Sequence, residues 1–289
     1  MRTFCQFEGF SFAQAYQDAL GELICHPQFV CNTRGHLVRE ILGAQIRIRN
    51  PYSNLFKNKA RDLPEEYLRK ELLLYFNSID DADKFIEASS VWKDLANSDG
   101  SVNSSYGYLI FAEKNEEEVN QWQWALDSLI RDRDSRQAIM YLGRTRVQRQ
   151  GMKDFICTIS YQFFIREYKL WMVANRRSQD IHYGLTFDAP WEMLLMQQMR
   201  NHLLVRYPGL ELGEYILNCG SLHMYEKNLD LLRAMKSKDF MPHQTPKISP
   251  EFPLITPNGT PLFAKDSIEK IRHDEDPFLQ WLNGEQVPC

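Results

Sequence analysis

Cys157 stands at the start of a stretch rich in β-branched and aromatic residues, which predicts a thiol at the beginning of a β-strand. A thiolate at such a position can attack an electrophilic carbon when a neighbouring cation stabilises it. Arg177 follows beyond a second predicted strand and is a candidate for that cation. A lone cysteine at a strand start is more often a small buried apolar residue, so the nucleophile needs support from its surroundings.

Four polar side chains further along have types and spacing suited to binding a small anionic molecule. Arg177 is followed by Ser178, and the two together suit a bidentate grip on a phosphate. His223 and Tyr225 are two residues apart, so on an extended segment they would share one face. The plainer alternatives are a surface arginine beside a strand-end serine and an ordinary half-buried pair.

Two acidic side chains can be read either as working carboxylates or as structural ones. Asp180 lies at the end of a predicted strand, where nearby backbone N–H groups could satisfy it. Glu71 interrupts the apolar face of a helix predicted over 63–79, which opens with Leu-Pro-Glu-Glu and so has proline in its first turn. Glu71 is therefore either a solvated helix residue or a group that acts on a substrate.

The other elements are predicted from apolar periodicity. A helix over 115–131 would carry three glutamates in its first turn, which favours the helix dipole. Strands are predicted over 155–165, 170–174 and 213–219, and helices over 189–207 and 225–235. Because no linker separates these elements, we expect one α+β domain over 1–289, with an irregular Pro-rich C-terminal extension from about residue 240.

Composition excludes several classes of function. Hydrophobic residues make up 44% of the 289 residues, enough for a sizeable core. The formal net charge of −4 argues against stable nucleic-acid binding. No apolar run approaches the roughly 18 residues that span a bilayer, and the N-terminus lacks the layout of a signal peptide, so we expect a soluble cytosolic protein without a membrane partner.

Metal and phosphate-loop chemistry also lack their usual patterns. The six cysteines have no disulfide-scaffold spacing and are expected as thiols in a reducing compartment. Cys25, Cys31 and His36 are the candidates for metal ligands, but paired short-spaced ligands are missing, and we expect no metal. The motifs GxxxxGK[ST], GxGxxG, HExxH and GxSxG do not occur.

The order of the motifs resembles the thymidylate synthase family. That family has a nucleophilic Cys, a Gln five residues later, then Arg-Ser-x-Asp, Gly-x-Pro-Phe-Asn and Gly-x-x-His-x-Tyr. The corresponding residues here are Cys157, Gln162, Arg177-Ser178-Gln179-Asp180, Gly184-Leu-Thr-Phe-Asp188 and Gly220-Ser-Leu-His223-Met-Tyr225. Upstream come Glu71, Trp92, Tyr106-Gly107 and Asp134-Ser135-Arg136 in the family's order, so the resemblance covers residues from about 30 to 235.

The resemblance implies a fold, a cosubstrate and a set of roles. The fold would be a mixed β-sheet packed with helices, in a sheet-to-sheet homodimer with shared active sites. Cys157 would attack the base, Glu71 would order water and move protons, and Tyr106 would lie beside the nucleophile. The nucleotide would be held by Arg34, Arg136, Gln162, Arg177, Ser178, His223 and Tyr225. The cosubstrate 5,10-methylenetetrahydrofolate would be held by Trp92, Asp180 and Gly184.

Asp188 departs from the family pattern in a way that indicates another base. Thymidylate synthases carry Asn there, whose amide matches O4 and N3–H of uracil. A carboxylate only accepts hydrogen bonds, so it suits the exocyclic NH₂ and a protonated N3 of cytosine. This is the pattern of the deoxycytidylate hydroxymethylases of the family. It predicts that dCMP, the folate and water give 5-hydroxymethyl-dCMP, with Asp188 both binding and acting on the base.

Other departures and retained residues refine this prediction. Tyr106-Gly107 is followed by Tyr-Leu-Ile instead of x-Gln-Trp-Arg, and Gln137 stands where a second Arg is expected. The apolar closing tail has no match in 286–289, which predicts a less sealed site that admits water. Ser178 agrees with a deoxynucleotide substrate. Such an enzyme fits a phage that modifies its DNA, and hence the cytosol of an infected bacterium.

Three alternatives remain open at the level of sequence, besides simple drift at Asp188 in a degenerate homologue. The first is transfer of a methyl group to give 5-methyl-dCMP, because Trp92 also occurs in thymidylate synthases. The second is hydroxymethylation of CMP, against which Ser178 argues. The third is a non-catalytic nucleotide- or RNA-binding homologue, which the intact Cys157, Arg177, Asp180 and His223 make a poor fit.

Overall fold

The structure, a computed structural model, describes residues 5–262, 276–285 and 287. These residues fall into two compact units whose segments alternate along the chain. The first unit comprises the described parts of Met1–Leu63, Lys169–Met196 and Glu211–Thr245. The second comprises those of Pro64–Tyr168, Gln197–Leu210 and Pro246–Cys289. The single-domain organisation stays a prediction.

The described residues form ten strands and eight α-helices, several of which follow one another in runs of the same type. The strands are β1 (Gln6–Gly9), β2 (Phe29–Thr33), β3 (His36–Ile48), β4 (Leu55–Lys57), β5 (Ile139–Tyr141), β6 (Thr158–Arg166), β7 (Lys169–Arg176), β8 (Gln179–Asp180), β9 (Glu211–Tyr225) and β10 (Met241–His243). The helices are α1 (Phe12–Cys25), α2 (Glu65–Phe76), α3 (Ala82–Ala88), α4 (Trp92–Leu95), α5 (Gln121–Arg131), α6 (Leu185–Leu203), α7 (Leu229–Lys236) and α8 (Pro277–Leu282). In the described residues no helix is long and apolar enough to cross a membrane.

The first unit contains a mixed sheet in which β9 is central. β9 runs antiparallel to β3 and parallel to β7 and β8, while β1 runs parallel to β3, and β2 forms an antiparallel pair with it. A separate antiparallel pair joins β10 to β4. This arrangement confirms the predicted α+β class with a mixed β-sheet packed with helices.

The odd-numbered residues of β9 lie on one face of the sheet, which is buried in the middle of the strand and carries a candidate site residue near its end. The pairing of β9 with β3 keeps one register on both sides of Gly220, so odd-numbered residues share a face. Tyr215, Leu217 and Cys219 on this face are buried, whereas His223 further along is half-buried. The buried face of β9 therefore continues, toward the end of the strand, into a more exposed region that contains His223.

The helices differ from prediction mainly in where they begin. The helix predicted over 63–79 is confirmed as α2. The predicted start at 115 is wrong, because α5 begins at Gln121, after Asn120 caps it by accepting a hydrogen bond from the N–H of Gln123 at 2.8 Å. The three glutamates precede the helix in a turn, and Glu118 there has a φ of 60°. Capping by Asn120 therefore sets the start of α5, and the three glutamates lie outside the helix.

The helix predicted over 189–207 begins four residues earlier, at Leu185 in α6. The backbone N–H of Asp188 donates to the carbonyl of Gly184 at 2.9 Å, which places Asp188 in the first turn. Pro190 follows in the helix and removes one backbone donor. The beginning of the C-terminal extension forms β10 and part of its end forms α8. Residues 263–275, 286, 288 and 289 lie outside the described residues, and they include most of 286–289, where the family's closing tail is predicted to be missing.

Candidate active site

Arg177 and Ser178 lie between β7 and β8 in the first unit, at a point where two backbones approach closely. The carbonyl of Arg177 accepts a hydrogen bond from Ser221 N–H at 3.1 Å. A Cβ on Gly220 would lie 2.7 Å from that carbonyl oxygen, so this position requires glycine. The Arg177 guanidinium donates from Nη1 to the hydroxyl of Ser178 at 3.0 Å, so the two predicted phosphate ligands are adjacent in space as well as in sequence.

One carboxylate oxygen of Asp180 accepts hydrogen bonds from the backbone that follows it, and the other has no partner among the described residues. Its Oδ1 accepts hydrogen bonds from the N–H groups of His182, at 2.8 Å, and of Tyr183. Its Oδ2 is buried and has no partner among the described residues. Burial raises the pKa of Asp180, an effect opposed by the backbone N–H groups and by His223. A donor placed on Oδ2 would therefore stabilise the carboxylate.

His223 lies beside Asp180, because these two residues are register partners in the parallel pair of β8 and β9. The Ile181 N–H donates to the His223 carbonyl at 2.9 Å. The rings of His223 and Tyr225 meet edge to face, with centroids 5.6 Å apart. The predicted shared face is confirmed, and Asp180, His223 and Tyr225 form one polar group.

Gly184 connects this group to Asp188. A Cβ at Gly184 would lie 2.5 Å from Nε2 of Gln179 and 3.1 Å from Oδ2 of Asp188. Since Gln179 donates to that same carboxylate oxygen at 3.0 Å, its amide cannot move aside without losing a hydrogen bond. Gly184 thus permits the contact between β8 and the first turn of α6, in addition to any contact with a ligand.

The two oxygens of Asp188 have different surroundings. Oδ2 accepts hydrogen bonds from Nη1 of Arg176 at 2.6 Å and from Nε2 of Gln179 at 3.0 Å. Oδ1 has no hydrogen-bond donor among the described residues, and the side chain is 19% exposed. Asp188 can therefore offer one accepting oxygen to a ligand while the other is held in place.

Arg176 was not singled out from the sequence, yet it organises this part of the first unit. Its side chain is 1% exposed and forms ion pairs with both Asp188 and Glu192. Glu192 is completely buried, and its second oxygen accepts a hydrogen bond from the Tyr215 hydroxyl. A sequence signal existed, because Arg176 occupies an inward position of an apolar strand and the two carboxylates are four residues apart.

Arg34 lies at the tip of a hairpin, away from regular structure. Arg34 and Gly35 form the two-residue turn between β2 and β3, with φ values of 52° and 81°. Positive φ at both positions is typical of a type I′ turn. The Arg34 side chain is exposed. The exposed position leaves the guanidinium accessible to a phosphate, and the role of Arg34 as a phosphate ligand stays a prediction.

In the second unit, Glu71 is the acceptor of a small hydrogen-bond network. It is buried on α2, and its Oε1 accepts from the hydroxyl of Tyr67 at 2.8 Å and of Tyr75 at 3.2 Å. Trp92 Nε1–H donates in turn to the Tyr67 hydroxyl at 3.2 Å. The predicted Glu71 and Trp92 are therefore linked through Tyr67. Spacing of four residues on one helix was the available signal for Tyr67 and Tyr75.

Tyr106 packs against the same network. Its ring centroid lies 5.5 Å from that of Tyr75. A Cβ on Gly107 would lie 1.7 Å from the carbonyl oxygen of Tyr75, so only glycine allows this approach. The predicted residues Glu71, Trp92 and Tyr106 therefore form one aromatic and acidic group in the second unit.

Cys157 directly precedes β6 and is half-buried, with its thiol 3.8 Å from the carbonyl oxygen of Phe155. Along the same strand, Nε2 of Gln162 donates to the carbonyl of Arg136 at 2.8 Å. The Arg136 side chain is exposed, so its loop is fixed through the backbone while its guanidinium remains at the surface. No group of three or more His, Cys, Asp or Glu residues in the described part of the chain could hold a metal ion.

Comparisons with known proteins identify the family of this chain. The sequence profile of the thymidylate synthase family matches residues 14–256. The deoxycytidylate 5-hydroxymethyltransferase of Enterobacteria phage T6 is 32% identical over 220 residues, which cover 74% of this chain and 86% of that protein. A thymidylate synthase of Bacillus mojavensis is 29% identical over 153 residues, 52% of each chain.

A solved structure supports the same fold. The thermostable thymidylate synthase A from Bacillus subtilis aligns with a TM-score of 0.67 and 21% identity, covering 86% of this chain and 91% of that one. At this identity the likeness concerns the fold alone.

Proposed function

Because the chain belongs to the thymidylate synthase family, we propose that it hydroxymethylates C5 of dCMP, using 5,10-methylenetetrahydrofolate and water, to give 5-hydroxymethyl-dCMP. The observation that carries the proposal is the accepting oxygen of Asp188. Its Oδ2 is occupied by Arg176 and Gln179, which leaves Oδ1 for a base. The similarity to the hydroxymethyltransferase of phage T6 supports the same choice of reaction.

The hydrogen-bonding groups of Asp188 are complementary to those of cytosine. The exocyclic NH₂ of cytosine donates, and a carboxylate oxygen can only accept. A protonated N3 would donate to the same carboxylate when the base becomes electron-rich. Uracil instead presents O4, an acceptor, and two acceptors that face each other with no donor between them are unfavourable. Asp188 therefore favours dCMP over dUMP.

Two residues of the second unit supply the covalent chemistry. Cys157 adds to C6 of the base, which converts C5 into a carbon nucleophile. Glu71, oriented by the hydroxyls of Tyr67 and Tyr75, positions the water whose oxygen ends in the product and accepts its proton. C5 would take up the one-carbon unit supplied by the folate and lose its proton, which leaves an exocyclic methylene on the base. The water adds to this methylene, and Cys157 then leaves as a thiolate as the C5–C6 double bond returns. Tyr106 packs against Tyr75 and limits the freedom of this group.

The remaining predicted residues bind the two substrates. Arg177 and Ser178, with Arg34 and Arg136, hold the phosphate; Gln162, His223 and Tyr225 hold the rest of the nucleotide. Members of the family use methylenetetrahydrofolate, and the folate supplies the one-carbon unit when bound. The buried, unpartnered Oδ2 of Asp180 fits the N–H groups of a pterin ring, and Trp92 and Gly184 would complete that binding region.

We also propose the family's assembly and setting for this chain. The protein would be a sheet-to-sheet homodimer in which Arg136 reaches the nucleotide bound by the other subunit. The product would serve DNA modification in the cytosol of a phage-infected bacterium, in keeping with the phage T6 relative.

Incubation with dCMP and methylenetetrahydrofolate is expected to give a nucleotide heavier by one CH₂O unit, because Asp188 accepts from cytosine and Glu71 positions water. Mass spectrometry of the products measures this directly, with CMP and dUMP as parallel substrates. Reactions without folate serve as the control. A product heavier by one CH₂ unit, with dihydrofolate formed, would establish methylation instead. Absence of any product would favour a binding protein.

Mixing Arg136→Ala and Cys157→Ala proteins is expected to restore activity. Random exchange places half of the subunits in hybrid dimers, each with one intact site, so the mixture should reach about one quarter of the wild-type rate. The measurement is turnover of dCMP after exchange of subunits. A mixture of Cys157→Ala with Cys157→Ser is the matched control, since no intact site can form. Hybrid dimers that stay inactive would show that Arg136 does not act across the interface.

A further inference from the structure

We propose that Arg176, anchored by Glu192, is a positioning residue that fixes which oxygen of Asp188 meets the base and thereby sets the preference for cytosine. The inference rests on the proposed function, because it assigns a role in the reading of the base by Asp188. It adds two buried residues, Arg176 and Glu192, that have no role in the reaction scheme above.

The contacts of the Arg176 guanidinium form a fork with two ends. Nη1 donates to Oδ2 of Asp188 at 2.6 Å. Nε donates to Oε1 of Glu192 at 3.1 Å, and Nη2 donates to the same oxygen. The guanidinium is planar and its donors have fixed relative directions, so the position of one carboxylate constrains that of the other.

Glu192 is the fixed end of this fork. It is completely buried, and the hydroxyl of Tyr215 donates to its Oε2. Burial raises the pKa of Glu192, an effect opposed by the Arg176 cation. Removing Arg176 alone would thus leave the buried Glu192 without a compensating cation. In the native protein Arg176 links Glu192 to Asp188 in the first turn of α6.

Asp188 is the end of the fork that can meet a ligand. Its side chain is 19% exposed, while those of Arg176 and Glu192 are 1% and 0% exposed. Gln179 adds a second donor to Oδ2 at 3.0 Å. Rotation of the Asp188 carboxylate would break both hydrogen bonds, so the free Oδ1 is presented in one orientation.

The test uses the double variant R176Q/E192Q, which removes the fork, leaves no charge at the completely buried position 192 and keeps the net charge of the group unchanged. The readout is the ratio of kcat/KM for dCMP to that for dUMP, with the separate kcat and KM values. We expect this ratio to fall about tenfold, mainly through a higher KM for dCMP, because a misdirected hydrogen bond costs about as much as a lost one. In an Asp188→Asn background the same double substitution should change the ratio no further.

Two further variants serve as a control and as an independent test. R144Q/E113Q removes another Arg–Glu pair, between half-buried side chains in the second unit, and is expected to leave the ratio unchanged. Arg176→Lys keeps the positive charge but cannot donate to both carboxylates in the fixed geometry of a guanidinium, so the ratio should fall several-fold. This variant tests the inference independently if R176Q/E192Q fails to fold. An unchanged ratio in Arg176→Lys or R176Q/E192Q, or an equal fall in the Asp188→Asn background, would overturn the inference. A wild-type enzyme without preference for dCMP would instead contradict the proposed function.

Discussion

Replacement of Cys157 by alanine is expected to lower the turnover of dCMP by at least about 10⁴-fold, the scale seen when a covalent nucleophile is removed. Without addition at C6, the C5 carbon of the base does not become a nucleophile. The substitution removes one small half-buried side chain that directly precedes β6, so we expect the fold to persist. The measurements are single-turnover product formation and, separately, dCMP binding by calorimetry.

Binding of dCMP should change little in the Cys157→Ala protein, because the residues proposed to hold the phosphate and sugar remain. Cys31→Ala is the matched control: Cys31 is also a half-buried free thiol, and its removal should leave turnover near that of the wild type. If the Cys157→Ala protein retained more than about one hundredth of the wild-type rate, the covalent route of catalysis would be excluded.

Replacement of Asp188 by asparagine is expected to lower the preference for dCMP over dUMP by at least tenfold. Arg176 and Gln179 both donate to the oxygen that occupies the Oδ2 position. The carbonyl oxygen of the introduced amide must therefore face these donors, and its NH₂ must face outward. A donor then opposes the NH₂ of cytosine but matches O4 of uracil. An unmatched buried polar group costs about 1–3 kcal/mol, and about 1.4 kcal/mol corresponds to tenfold.

The measurement is the ratio of kcat/KM for dCMP to that for dUMP in both proteins. The asparagine substitution leaves Arg176 paired with Glu192, so the change should appear in specificity more than in stability. Asp180→Asn is the matched control, since it makes the same chemical change at the proposed folate contact and should lower both rates together. An unchanged ratio in a folded Asp188→Asn enzyme that still binds folate would mean that Asp188 does not read the base.

Local patterns were sufficient to predict the helix that carries Glu71. The helix with Glu71 follows from apolar spacing and a proline in its first turn, and both features act within a few residues. The start of α5 was predicted wrongly because a favourable acidic turn and a capping asparagine compete over the same few residues. Which of them wins depends on the contacts of Asn120, whose side chain also donates to the carbonyls of Phe111 and Asn258.

The shared face of His223 and Tyr225 was also predictable, because alternation in a strand depends on backbone geometry alone. The pairing of Asp180 with His223 was not, because register between β8 and β9 joins segments more than forty residues apart. Gly184 and Gly220 could be named from the motif, but the crowding that requires glycine there appears only when neighbouring backbones are in place.

The sequence by itself determined the family, the order of the candidate residues and the presence of a carboxylate at position 188. Only the tertiary structure decided that one oxygen of Asp188 is held by Arg176 and Gln179 while the other has no donor among the described residues. Alternation along β7 marks Arg176 as an inward-facing charge but does not show which carboxylates it pairs with. Ion pairing depends on distances between segments that folding brings together, and those distances set the direction of the Asp188 carboxylate.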